Sequence, residues 1–150
     1  MEFNKAEMHY AIAKTLLGHW QQDAGTTTAK RIYVKSQHIC SASDLLRARE
    51  EVRAPYRVIL AQAAEHASDS GARSTAVFYW SNCIKLLQDS AWEAGKPDVN
   101  YQETLTLYTR TAETYWYLKN FAAAIETLDK VFRFAKSPID MAPCWIIKSR

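Results

Sequence analysis

The chain has 150 residues, about the size of one domain, and 48% of them are hydrophobic, which is enough for a sizeable core. Its formal net charge of +3 is too small a surplus to indicate a nucleic-acid-binding surface. With only four Gly and four Pro, collagen-like, low-complexity and loop-rich β architectures are not expected. We expect a single domain over residues 1–150, without a signal peptide or a membrane span.

The first predicted helix covers residues 4–20, where apolar side chains recur every three or four positions and form one stripe. The members of that stripe are Tyr10, Ala13, Leu17 and Trp20. Asn4 stands at its start and belongs to the residue types that cap helix N-termini. Residues 21–28, which include three consecutive Thr, are predicted as a loop.

A second, weaker helix is predicted for residues 29–40. Its apolar face consists of Ile32, Tyr33 and Ile39. Lys35 and Ser36 interrupt that face, where apolar residues would be expected. Ser43 is the predicted N-cap of a third helix. Because Pro is poorly tolerated inside a helix, this third helix either begins near Pro55 or kinks there.

The next predicted helix covers residues 72–88 and follows a tight Ser-Asp-Ser-Gly turn. Residues 89–100 form the longest irregular segment. We expect Trp92 in this segment to fold back onto the helices, because an indole ring is costly to leave in water. Two further helices are predicted for residues 101–118 and 121–136.

A last helix begins near Pro138 or Pro143. The predicted hairpins cover about residues 4–40, 55–88 and 101–136, and a short helix follows in 138–150. No segment of useful length alternates apolar and polar residues, as a half-buried strand would. The expected fold class is therefore all-α, built from stacked antiparallel helical hairpins.

Neither disulfide nor metal chemistry is expected. The three cysteines are Cys40, Cys83 and Cys144. An odd number of distant cysteines is no disulfide framework and favours a reducing compartment, so we expect a cytoplasmic protein. The four histidines are His9, His19, His38 and His66. They lack the short spacing typical of zinc ligands, and we expect no metal and no cofactor.

Two of the hairpins resemble each other at positions that lie 48 residues apart in the sequence. The matching pairs are Ala64 and Ala112, Ala67 and Tyr115, Gly71 and Lys119, Arg73 and Phe121, Ala76 and Ala124, Trp80 and Leu128, and Cys83 and Val131. Small residues where paired helices approach, with a turn former between them, are typical of the tetratricopeptide repeat. The period of that repeat is about 34 residues, so an insertion around Trp92 separates the two units here. The simpler alternative is a plain antiparallel helical core.

Short motifs along nearly the whole chain support a more specific interpretation. They are His9-Tyr10, Leu16-Leu17, Arg31-Ile32-Tyr33, Leu86-Leu87, Trp92, Leu105-Thr106-Leu107-Tyr108, Ala112-Glu113, Tyr117-Leu118, Phe121 and Ile147-Lys148. In this order and spacing they resemble the tetratricopeptide-like helical region of very large hybrid sensor histidine kinases of fungi and bacteria. Proteins of that family join a protein-kinase-like domain, an AAA/STAND-type ATPase, the helical region, a GAF domain and a histidine kinase core.

The resemblance implies a linker or protein-interaction segment in two-component phosphorelay signal transduction, which couples an ATPase module to a sensor module. It does not imply catalysis. None of the four histidines is followed by Glu, as the phosphoacceptor of a histidine kinase is. The segment most similar to a phosphate-binding loop is Gly71-Ala72-Arg73-Ser74-Thr75, and it lacks the second Gly and the Lys of that motif. We therefore expect no catalytic residues and no enzyme activity.

A free-standing adaptor that binds a partner peptide in a concave groove is the alternative function. The candidate groove residues are Gln62, Glu65, Tyr101, Glu103, Thr106 and Arg110. An acidic peptide is not favoured as the ligand, because Arg57 and Arg110 are the only obvious cations there. The stripe of Arg47, Arg49, Arg53 and Arg57 is interpreted as a solvated face, since Glu50 and Glu51 interleave with it.

The last helix leads to a prediction about association. Trp145, Ile146 and Ile147 are apolar and are expected to be partly exposed. Contiguous exposed apolar surface drives association, so we expect the isolated chain to self-associate through these residues. No nucleic acid and no membrane is expected among its partners.

Overall fold

The computed structural model describes residues 4–22 and 29–150, and it describes the side chains of all of these except residues 19–22 and 29. Across the described ranges the protein is all-α, as the sequence predicts, with eight helices and no strand. The helices are α1 (Lys5–Gln22), α2 (Ala29–Ser41), α3 (Ser43–Arg49), α4 (Ala54–Asp69), α5 (Arg73–Lys85), α6 (Tyr101–Tyr117), α7 (Phe121–Phe134) and α8 (Pro138–Lys148). None of these described helices has the length and apolar character needed to cross a membrane.

Several helices begin at a side-chain cap. Asn4 accepts a hydrogen bond (3.0 Å) from the backbone N–H two residues further on, as its predicted capping role requires. At the starts of α6 and α7, Asn100 and Asn120 each accept a bond from the backbone N–H three residues further on. The predicted cap at Ser43 is wrong, because Ala42 is the N-cap and its side chain makes no capping bond. Ser43 lies inside α3 and is buried.

Prolines mark the starts of two helices. α3 ends at Arg49 and α4 begins at Ala54, so Pro55 lies in the first turn of α4. A missing N–H is no loss there, and the chain starts a new helix rather than kinking an old one. α8 begins at Pro138, the first of its two predicted starts, and Pro143 lies inside the helix.

The helices pack mainly against their neighbours in the chain. α4 packs on α5, α5 on α6 and α6 on α7, while α8 contacts both α6 and α7. At the other end, α2 lies against α1 and α4. The core has two clusters. The larger one is formed by α1 to α5, by the segment 86–91 that follows α5, and by Leu107, and the smaller one lies around Ala112, Leu128 and Val131. Tyr108 packs against both clusters and connects them.

The hairpins α4–α5 and α6–α7 match at the positions that the sequence comparison singles out. Ala64 lies on α4 and Ala76 on α5, and Ala112 and Ala124 occupy the equivalent places on α6 and α7. All four have a relative exposure of 0%, which fits the close approach of paired helices.

The two interhelical turns also match. Gly71 has a φ of 83°, and Lys119 has a φ of 62° at the equivalent position. In both turns the next residue donates its N–H to the carbonyl five residues earlier, at 2.8 Å after Gly71 and at 3.0 Å after Lys119. Such a bond is typical of a helix that ends in a left-handed residue. The turn former predicted at this position is therefore confirmed in both hairpins.

α2 buries more of its surface than its weak apolar face indicates. Lys35 and Ser36, which interrupt that face in the sequence, are 8% and 0% exposed. The reason is that α2 contacts four other helices, α1, α3, α4 and α5, so several of its faces are covered. Among the described residues, the hydroxyl of Ser36 has no hydrogen-bond partner. The loop predicted for residues 21–28 begins too early, because residues 21 and 22 still belong to α1. The rest of that loop and the side chain of Trp20 lie outside the described residues.

The insertion between the hairpins folds back onto the helices, as predicted. The Trp92 ring lies 5.1 Å from the Tyr108 ring and stacks on Phe134 at 5.9 Å, measured between centroids. Beside it, the buried hydroxyl of Thr104 donates a hydrogen bond (2.8 Å) to the carbonyl of Ala91. The insertion therefore joins the α4–α5 hairpin to α6, α7 and the second core cluster.

α8 buries one side and exposes the other. Cys144 and Ile147 are buried, whereas Trp145 is 54% and Ile146 is 56% exposed. Ile139, near the start of the helix, is 83% exposed. The expected exposure is therefore present at Trp145 and Ile146 but not at Ile147, because Ile147 packs into the second core cluster. Self-association through this surface stays a prediction.

Candidate partner-binding groove

A groove of about 900 Å³ opens between α4 and α6. Its base is formed by buried apolar side chains, Ile32 of α2, Trp80 of α5 and Leu107 of α6. Its walls include Ala61, Gln62, Glu65, Asp69, Glu103 and Thr106. An apolar base with a few polar groups around it is the usual form of a ligand site, and sites of about 300–1,000 Å³ are typical.

The structure brings together most of the side chains that the sequence proposes for a concave face. Four of the six line the groove, namely Gln62, Glu65, Glu103 and Thr106. Arg110 reaches the same wall through its ion pair with Glu65. Tyr101 does not face the groove, because its hydroxyl donates to Asp140 (2.7 Å) and accepts a bond from the N–H of Lys136 (2.8 Å). That side of α6 is covered by the start of α8.

Two ion pairs cross from α4 to α6. Arg57 Nε donates to Glu103 Oε1 at 2.5 Å. Arg110 Nε donates to Glu65 Oε1 at 3.0 Å, and a second guanidinium nitrogen pairs with the other carboxylate oxygen. The Arg110 guanidinium also lies 5.8 Å from the centre of the Trp80 ring. These side chains join the two walls of the groove.

Beneath one end of the groove, Arg57 forms a buried ion pair with Asp98. The two side chains are 2% and 1% exposed, and Arg57 donates to Asp98 at 2.9 Å. Asp98 also accepts bonds from the backbone N–H groups of Arg53 (3.0 Å) and Ala54 (2.9 Å) and from the Gln88 amide (2.8 Å). Burial raises the pKa of Asp98, but these hydrogen bonds outweigh burial and hold the pKa below its ordinary value of 3.8.

Arg53 completes this buried network by satisfying carbonyl groups at helix ends. It donates to the carbonyls of Leu86 (2.8 Å), Leu87 (2.9 Å) and Arg47 (2.9 Å). The interpretation of the arginine stripe as a solvated face is therefore wrong for Arg53 and Arg57, which are 5% and 2% exposed. The last carbonyls of α3 and of α5 need donors, and a buried guanidinium supplies several at once.

A pair of histidines that no sequence motif indicates joins α1 to α2. His9 Nδ1 and His38 Nδ1 lie 2.8 Å apart, a hydrogen bond in which one ring donates and the other accepts. Burial is the main cause that lowers the pKa of His38, and the nearby His9 ring lowers it further. Within the described ranges, no group of three or more His, Cys, Asp or Glu side chains is placed to hold a metal ion. We therefore interpret this pair as a helix–helix contact.

The three cysteines are poor nucleophiles. Burial raises the pKa of the Cys40 thiol to about 12, although Lys85 acts in the opposite direction. Burial also raises the pKa of Cys83 and of Cys144. A thiol reacts as its thiolate, so near neutral pH these groups behave as small apolar side chains.

Comparison of the chain with known protein families, with curated proteins and with solved structures finds no match. The resemblance to the helical region of hybrid sensor histidine kinases therefore stays a prediction, as does the cytoplasmic location. The groove and its charges have to be interpreted from their own geometry.

Proposed function

We propose that this protein is a non-catalytic protein-interaction module that holds a segment of a partner protein in the groove between α4 and α6. The observation that carries the proposal is the groove itself, about 900 Å³ of space over a base of buried apolar side chains. Its walls are tied together by the Arg57–Glu103 and Arg110–Glu65 ion pairs, so the site exists before a ligand arrives. A long cleft between helices suits the apolar side chains of a polypeptide segment.

The proposal includes a tetratricopeptide-like stacking of the hairpins. The fully buried Ala64 and Ala112, and the matching turns at Gly71 and Lys119, support it. In stacked helical repeats, the concave surface is the extended binding surface. α4 and α6 are the first helices of the two matched hairpins, and both line the groove.

The charged side chains of the groove favour binding over catalysis. Arg57 and Glu103 are paired with each other, and so are Arg110 and Glu65, so none of these four is poised as a free acid or base. We expect no ATP hydrolysis by the purified chain and no transfer of phosphate to any of its histidines. The proposal does not depend on the sensor kinase resemblance, in which such a module couples an ATPase to a sensor domain.

The experiment is a selection of short random displayed peptides on the immobilised protein, followed by affinity measurements. The variant Thr106→Trp places a large ring in the groove from an exposed position on α6. We expect the enriched peptides to bind wild type and to lose about tenfold or more in affinity for this variant.

The matched control is Thr75→Trp, since Thr75 is an exposed threonine on α5 outside the lining of the groove. This control should bind the peptides like wild type, and all three proteins should show the same helical circular dichroism and the same melting temperature. Failure to enrich any peptide, or equal binding by Thr106→Trp, would contradict the proposed function.

A further inference from the structure

We infer that the partner segment is basic, with apolar side chains between two cationic side chains roughly 18 Å apart. This inference rests on the proposed function and goes beyond it by naming the chemistry of the partner. It follows from the charges that line the groove and from the contacts that each of them already makes.

Carboxylates outnumber cations in the groove. Among the described residues that line it, Glu65, Asp69 and Glu103 are acidic, and Arg57 carries the one guanidinium. Arg57 is buried, and its donors are directed to Glu103, to the side chain and carbonyl of Asp98, and to the carbonyl of Leu86, which follows α5. Four of its five N–H donors are engaged in this way, and the side chain is only 2% exposed, so Arg57 is poorly placed to bind an acidic ligand.

The carboxylate oxygens that remain available lie at the two ends of the groove. Both oxygens of Glu65 are engaged by Arg110. By contrast, no cation in the described part of the chain pairs with Asp69, which is exposed at the end of α4. At the other end, Glu103 pairs with Arg57 through Oε1. Its second oxygen accepts no bond from any described residue.

The separation of the two ends sets the spacing of the charges. Arg57, which meets Glu103, lies twelve positions before Asp69 on α4, and a rise of 1.5 Å per residue makes this about 18 Å. The apolar base, with Trp80 and Leu107, lies between the two ends. An extended segment covers that length in about six residues, at roughly 3.3–3.6 Å per residue. Electrostatic complementarity then favours Lys or Arg at both ends of such a segment and disfavours acidic peptides, nucleic acids and anionic membranes.

The test uses three labelled hexapeptides with blocked termini, Lys-Ala-Leu-Leu-Ala-Lys, Gln-Ala-Leu-Leu-Ala-Gln and Glu-Ala-Leu-Leu-Ala-Glu, in fluorescence anisotropy titrations against the full chain. We expect the basic peptide to bind about tenfold tighter than the acidic one at an ionic strength of about 0.05 M, with the neutral peptide between them. At about 0.5 M salt the three affinities should converge, because screening weakens the charge term but not the apolar contacts.

Two variants locate the effect. Asp69→Asn should weaken binding of the basic peptide by about threefold and leave the neutral peptide unchanged. Asp129→Asn removes an exposed carboxylate of α7 outside the groove lining and should change neither affinity. Equal affinity for the three peptides, tighter binding of the acidic one, or no binding of the basic one would overturn this inference. If the selected library peptides bind the groove but carry no excess of Lys or Arg, this inference fails while the proposed function stands.

Discussion

The buried ion pair between Arg57 and Asp98 permits a quantitative test of how the fold is held together. Replacing Asp98 by Asn keeps the shape of the side chain and tolerates its φ of 60°, so the main change is the loss of one charge. The Arg57 guanidinium, 2% exposed, then keeps Glu103 as its one carboxylate partner. Removing one member of a buried pair costs about 3–5 kcal/mol.

Because the Asn amide oxygen can still accept some of the four hydrogen bonds, we expect a loss of about 3 kcal/mol in the free energy of unfolding. Urea unfolding followed by circular dichroism measures this loss directly, and a total stability of about 5–15 kcal/mol makes it easy to detect. Asp129→Asn, a surface change of the same chemistry, should stay within about 0.5 kcal/mol of wild type. A loss below about 1 kcal/mol for Asp98→Asn would refute the argument that this charge holds the network.

The same variant predicts a pH dependence. The pKa of Asp98 lies below its ordinary value of 3.8 in the folded protein, so the stabilisation is complete above that value. It disappears as the pH falls through the folded pKa, because the unfolded chain binds the proton more readily. The difference in unfolding free energy between wild type and Asp98→Asn should therefore be constant above about pH 5 and should shrink in strong acid. If the free-energy difference between the two proteins did not shrink in acid, the stabilisation could not come from the ionised carboxylate of Asp98.

Three further changes test other parts of the structure. Burial and His9 lower the pKa of His38 below 6.5, so wild type should lose stability as the pH falls from about 7.5 to about 5. Over the same pH range, urea titrations should show a smaller loss of unfolding free energy for His38→Gln than for wild type. Trp145→Ser should reduce self-association in sedimentation experiments, because the ring is 54% exposed, and a wild type that stays monomeric at high concentration contradicts this. Thr104→Val removes the bond to the Ala91 carbonyl and should cost about 1–2 kcal/mol in urea unfolding, whereas an unchanged stability would show that the bond is dispensable.

The positions of the helices could be predicted because the signals that set them are local. Pro55 marks the start of α4 to within one helical turn. Gly71 adopts the left-handed conformation just after the end of α4 and so marks where that helix stops. The equivalent turn at Lys119 has no glycine, but the helical patterns on both sides of it and its place in the repeat predict a turn there. Signals of this kind act over a few residues and are therefore visible in the sequence.

The buried polar network could not be predicted, because its members lie far apart in the chain. Arg57 and Asp98 are separated by 41 positions, and His9 and His38 by 29. An arginine next to glutamates is usually solvated, so only the fold shows that Arg57 lies under the groove. For the groove, helical spacing placed Glu65 and Thr106 on the correct faces, but it could not show that α8 covers Tyr101.

The most direct test of the central claim is to map where a basic peptide binds. Amide chemical shifts of the isotopically labelled chain should be recorded while Lys-Ala-Leu-Leu-Ala-Lys is added. The largest saturable changes should occur on both walls of the groove, at Ala61, Gln62 and Thr106, and should be absent in Thr106→Trp. Changes centred instead on the exposed face of α8 around Trp145, or no saturable change at all, would contradict a partner site between α4 and α6.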